Sequence, residues 1–123
     1  MNSVNLRTGI DIVNVARVQN SIEKHGEAFL KKIFCDQEIA YCESKASKYL
    51  SYAARFAAKE AFIKAVGGTH GMLGFKDVEI INHASGKPLI VLDPKKQKAL
   101  DITTISLSVS HEKDFAVAIV VLI

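Results

Sequence analysis

The chain has 123 residues, 49% of them hydrophobic and 24% charged, enough for one core and too few for two, so residues 1–123 are expected to form a single domain. Its formal charge of +3 suits an acidic partner but is too small to argue for nucleic acid, and with six Phe, three Tyr and no Trp it advertises no base-stacking platform. Arg7, Asp11 and Arg17 leave no room for a secretory signal, and the apolar run from Phe115 to Ile123 is too short to cross a bilayer, so a soluble, cytoplasmic protein without a membrane partner is expected.

Thr8 to Val13 reads as a first strand. Asn14 offers an N-cap to a helix through about Lys24, with Val15, Val18 and Ile22 on one face and Gly26 as its stop. A second helix is expected over Glu27–Ile33, and a third, capped by Asp36, through Cys42; Gln37 and Glu38 suit its positive end. The longest periodic segment runs from about Ser47 to Val66, where Leu50, Ala53, Ala54, Ala57, Ala61 and Ala65 form a stripe of mostly small residues that implies close packing on a sheet or helix. Gly67-Gly68 ends it. Strands are then expected at Val78–Asn82, Leu89–Leu92, Ile105–Ser110 and Phe115–Leu122, separated by Gly86-Lys87-Pro88, a Pro94-started helical turn and a hairpin loop from His111 to Asp114. The fold class is α+β: a strand and a run of helices, then a mostly antiparallel sheet.

Two carboxylates stand where apolar surroundings disfavour them. Asp11 interrupts the strand and points away from Ile10 and Ile12, toward the side where Gly9 leaves space. Glu60 lies in the Ala/Phe-rich helix with Lys64 one turn on. Each has an ordinary explanation, a strand-end acceptor for Asp11 and an i,i+4 pair for Glu60. Their joint setting is better explained by a hard divalent cation such as Mg²⁺, with Lys64 reaching a phosphate oxygen. His111 continues the alternation of Leu107 and Val109. It reads equally well as an ordinary loop residue and as a phosphate donor or proton acceptor.

Other chemistry finds little support. His25, His70 and His83 have no such context and read as surface residues. Cys35 and Cys42 match neither a zinc nor a redox spacing and read as reduced apolar side chains. A nucleophile elbow, a P-loop and a dinucleotide fingerprint are all missing, since the glycines at 67, 68, 71 and 74 follow a helix.

Taken in order, Gly9-Ile10-Asp11-Ile12 with Arg17, then Arg55-Phe56-Ala57-Ala58-Lys59-Glu60-Ala61-Phe62-Ile63-Lys64-Ala65, then Gly86-Lys87-Pro88 and Ser108-Val109-Ser110-His111, resemble the bacterial holo-acyl-carrier-protein synthases. These are the small-chain branch of the phosphopantetheinyl transferases. The resemblance implies transfer of the phosphopantetheine arm of coenzyme A to a serine of apo acyl carrier protein. Adenosine 3′,5′-bisphosphate is released, and the product supports fatty acid biosynthesis. It also implies Mg²⁺ at Asp11 and Glu60, Lys64 at the phosphates, His111 at the coenzyme and Arg17 facing the acidic carrier. It implies a homotrimer, with Asp11, Glu60, Lys64 and His111 of one chain facing Arg55 and Gly86-Lys87-Pro88 of the next. The basic run that many members place before the long helix is reduced here to Lys45 and Lys48. Two other readings use the same residues: a Mg²⁺-dependent phosphohydrolase with water as nucleophile, and a basic module docking an acidic partner through Arg17.

Overall fold

The computed structural model describes residues 4–68 and 73–123; His70 and Gly71 lie outside them. Strand β1 (Arg7–Asn14) leads into helices α1 (Val15–His25), α2 (Glu27–Ile33), α3 (Asp36–Glu43) and α4 (Lys48–Ala65). Then come β2 (Glu79–Asn82), β3 (Pro88–Val91), α5 (Pro94–Ala99), β4 (Ile105–His111) and β5 (Phe115–Leu122), with a 3₁₀ turn at Phe75–Asp77. The expected strands divide between two antiparallel sheets, one ordered β1-β5-β4 and the other a β2-β3 hairpin. The last strand therefore sits in the middle, pairing with the first across Gly9↔Val120 and Asp11↔Ala118 and with β4 across Val109↔Ala118.

Alternation along these strands sorts their side chains into two faces. Gly9, Asp11 and Val13 of β1, Leu107 and Val109 of β4, and Ala116, Ala118, Val120 and Leu122 of β5 turn toward α4, which packs on β1 and β5. The small-residue stripe is used here: its Ala53, Ala57 and Ala61 are wholly buried, as is the neighbouring Ala58. Helix and strand approach so closely at Gly9 that a Cβ there would lie 1.9 Å from the Ala61 carbonyl oxygen and 2.7 Å from the Ala65 nitrogen. Both are backbone atoms, so a side chain can enter only if α4 moves. Gly9→Ala is therefore expected to destabilise the fold by about 3 kcal/mol, the top of the usual range for overpacking. Thermal unfolding should show a midpoint lowered by roughly 10 °C; an unchanged midpoint would contradict this packing.

Among the described residues, no element covers the other face of the sheet. Ile10, Ile12, Phe115 and Ile119 are exposed on it, beside Ser106, Ser108 and Ser110 of β4.

Helix ends follow local chemistry. The Asn14 side chain accepts from the Arg17 N–H at 3.2 Å and caps α1, while Gly67 and Gly68, at φ 83° and 64°, close α4. The cap of α3 differs from expectation. Cys35 is its N-cap and Asp36 its first helical residue, because the Glu38 carboxylate reaches back to the Cys35 N–H at 2.8 Å. His111 also differs: it is the last residue of β4 and not part of the hairpin loop, since the ladder with β5 extends to His111↔Ala116.

Candidate active site

Asp11 and Glu60 meet. With Arg17, Phe29 and Phe56 they line a cleft of about 380 Å³ between β1, α1 and α4. The Lys64 ammonium donates to Asp11 Oδ1 at 2.9 Å and to the Ile10 carbonyl at 3.0 Å. Burial, and next the facing Asp11 carboxylate, push Glu60 above the usual carboxylate range, while Lys64 pulls it the other way. Two hard oxygen donors that repel each other across one cleft are a chemically fitting pair for a divalent cation. Among the described residues, no group of three or more His, Cys, Asp or Glu side chains is placed to hold a metal. Such a site suits Mg²⁺, which is commonly held by one or two carboxylates and completes its shell with substrate oxygens and water.

A second cleft, of about 540 Å³, lies on another side of α4 and includes Arg55, Gly86, Pro88 and His111 in its lining. Arg55 and Glu60 are five residues apart, which turns them about 140° from each other around the helix. Arg55 is buried, with its guanidinium 4.1 Å from the centre of the Tyr41 ring and donating to Asn82 Oδ1, yet its Nε has no partner among the described residues. Asn82 in turn donates to the Gly86 carbonyl at 3.0 Å, tying the β2-β3 turn to α4 through Arg55. A guanidinium keeps its positive charge when buried, so Arg55 adds a fixed cation to the wall of this cleft. Lys45 lines the same cleft and lies 4.7 Å from the Tyr41 ring, whereas Lys48 pairs with Glu43 at 3.4 Å. Lys87 sits on the exposed turn.

The expected division of the site therefore needs one correction. His111 does not accompany Asp11, Glu60 and Lys64; it shares its cleft with Arg55, Gly86 and Pro88 of the same chain. The cause is topological. β5 separates β4 from β1, and two strand spacings place His111 and Asp11 roughly 10 Å or more apart. Arg17 stands exposed at the first cleft, while His25 and His83 are surface residues.

Sequence reasoning missed a buried ion pair beside the site. Lys59 Nζ lies 2.8 Å from Glu38 Oε1, with both side chains fully buried. The ammonium also donates to the Phe75 and Val78 carbonyls at 2.8 and 2.6 Å, and Glu38 Oε2 accepts from the Ile80 N–H at 2.9 Å. The pair thus fastens α3, α4 and the segment entering β2, whose Asn82 holds Arg55. The signal was present in spacing: Tyr52, Arg55, Lys59 and Phe62 fall at i, i+3, i+7 and i+10, a second buried line on α4. The cysteines are free, and burial pushes Cys35 up to about 11 and Cys42 up to about 12.

This fold and these motifs define a class. The family model of the 4′-phosphopantetheinyl transferase superfamily matches residues 7–120, and the chain belongs to that family. Among similar proteins, the holo-[acyl-carrier-protein] synthase of Cytophaga hutchinsonii is 46% identical over 119 residues, covering 91% of this chain and 92% of the relative. That of Halothermothrix orenii is 42% identical over 116 residues, covering 92% and 93%. A solved structure, the Helicobacter pylori holo-[acyl-carrier-protein] synthase in complex with coenzyme A, superimposes with a TM-score of 0.86 at 36% identity, covering 94% of this chain and 98% of that one.

Proposed function

We propose that this chain, working as one domain over residues 1–123, is a holo-acyl-carrier-protein synthase. The serine oxygen of apo acyl carrier protein attacks the phosphorus that bears the pantetheine arm of coenzyme A. The P–O bond to the bridging oxygen breaks, its electron pair leaves on adenosine 3′,5′-bisphosphate, and the serine proton is released. The meeting of Asp11 and Glu60 at one cleft, with Lys64 attached to it, carries this reading.

Asp11 and Glu60 would hold Mg²⁺, which supplies neutralisation of the pyrophosphate charge and polarisation of phosphorus. Lys64 donates to a phosphate oxygen from the exposed end of its stem. Arg55, His111 and the Gly86-Lys87-Pro88 turn hold the adenosine end, and Lys45 rather than Lys48 meets the 3′-phosphate, because Lys48 is engaged by Glu43. The partners are coenzyme A, apo acyl carrier protein and copies of this chain, with neither nucleic acid nor membrane among them. A cytoplasmic place in fatty acid biosynthesis follows from that chemistry. Among the described residues no helix is long and apolar enough to cross a membrane.

The test is nucleotide release from coenzyme A and Mg²⁺, with and without apo carrier protein. Adenosine 3′,5′-bisphosphate should appear only when the carrier is present; release without it would instead identify a phosphohydrolase. Arg17→Glu should raise KM for the carrier at least tenfold and leave KM for coenzyme A unchanged, an effect of about 1.4 kcal/mol on docking. The reverse pattern would place Arg17 on the coenzyme.

The two clefts also support the homotrimer. One chain displays the carboxylate half and the Arg55 half of the site on different sides of α4. A rotationally repeated neighbour brings one half against the other, and closure of the ring gives one composite site per interface. The exposed face bearing Ile10, Ile12, Phe115 and Ile119 supplies apolar surface for such contacts. Mixing inactive Asp11→Ala and Arg55→Met chains in equal amounts, with subunit exchange verified, should restore roughly a quarter of wild-type activity, the share of interfaces that pair two intact halves. No recovery would confine the site to one chain.

A further inference from the structure

We infer that Lys64 and the divalent cation are alternative partners of Asp11, and that coenzyme phosphate opens the carboxylate to the metal by drawing Lys64 away. This rests on the reading of Asp11 and Glu60 as the metal carboxylates. Among the described residues, Lys64 is the only cation within ion-pair distance of either one. Its ammonium sits 2.9 Å from Asp11 Oδ1 and so holds one of the two oxygens this carboxylate can offer a divalent cation.

The two sides of this pair differ in mobility. The Asp11 side chain is 15% exposed and rises from a strand paired to β5, whereas that of Lys64 is 53% exposed on a flexible stem. Lys64 is therefore the member that moves. A divalent ion at Asp11 repels the ammonium beside it, and a pyrophosphate offers that ammonium a better-charged partner within the same site. Metal and coenzyme then strengthen each other's binding through Lys64 as well as through direct ligation, and the coupling is reciprocal. In the free protein, Lys64 supplies the charge that keeps Asp11 and Glu60 compatible.

The experiment measures Mn²⁺ binding to the free protein, without coenzyme, by the loss of the free-ion electron paramagnetic resonance signal. Lys64→Met should bind Mn²⁺ roughly fivefold more tightly than wild type, the equivalent of one surface ion pair removed. Lys64→Arg should remain within about twofold of wild type, since it keeps the competing charge. Arg17→Met serves as the charge control: Arg17 lines the same cleft and forms no side-chain bond to either carboxylate, so its loss should tighten binding less than about twofold. Unchanged or weaker binding by Lys64→Met overturns the exchange. Equal tightening by Arg17→Met and Lys64→Met overturns it too, reducing the effect to bulk charge. Asp11→Asn separates the two levels of the argument. Loss of Mn²⁺ binding there keeps the metal site standing whatever Lys64 does, and wild-type binding by Asp11→Asn removes the metal site and the exchange together.

Discussion

Asp11→Asn is expected to lower turnover by at least ~10³-fold while leaving a folded protein, because under the proposed function it removes a carboxylate that would hold Mg²⁺ and forfeits several kcal/mol of charge stabilisation at phosphorus. The substitution keeps the shape of the side chain and its place on β1. It removes the ion pair to Lys64, which is half in solvent and worth little, and it also relieves the repulsion that raises Glu60. Thermal stability should therefore stay within a few degrees of wild type. The Glu60→Gln variant should lose activity to a similar degree. Steady-state assay and thermal unfolding of both variants check this; activity near wild type in either would refute the shared carboxylate site.

The second large effect concerns stability. Lys59→Met leaves the Glu38 carboxylate buried with two backbone N–H donors but no cation, and takes the ammonium away from the Phe75 and Val78 carbonyls, of which Phe75 keeps its bond from the Val78 N–H. Breaking a buried pair from one side costs about 3–5 kcal/mol, which for a chain of this size lowers the unfolding midpoint by roughly 10–20 °C. Glu38→Gln should be damaging as well. The double variant should be less destabilised than the sum of the singles by about 1–3 kcal/mol, because the orphaned charge is then gone. Strict additivity in chemical denaturation would mean that the two groups do not act as a pair.

The sequence made much of the fold legible because local chemistry and global packing agree along most of the chain. Asn14, Gly26 and the Gly67-Gly68 pair mark the helix ends in single-residue chemistry, and the alternation in β1 and β5 fixes which side meets α4. Gly9, Asp11 and the Ala stripe carried the same message from both sides of one contact. What stayed hidden depends on distant pairing. That β5 lies between β1 and β4 cannot be read from either strand alone, and it is this order that carries His111 away from Asp11 to the Arg55 cleft. Lys59 was hidden for a different reason. A lysine beside Glu60 reads as solvated, and only the arrival of Glu38 and two carbonyls from other segments makes its burial tolerable. Arg55 escaped as a buried residue in the same way, since Tyr41 and Asn82 come from elsewhere in the chain.

The most direct measurement is the intact mass of an apo acyl carrier protein after incubation with this protein, coenzyme A and Mg²⁺. The carrier should gain the mass of one phosphopantetheine arm, in step with the release of adenosine 3′,5′-bisphosphate, and should gain nothing when Mg²⁺ is chelated or when its acceptor serine is replaced by alanine. A carrier of unchanged mass, in the presence of folded protein and with every component supplied, would contradict the transferase assignment.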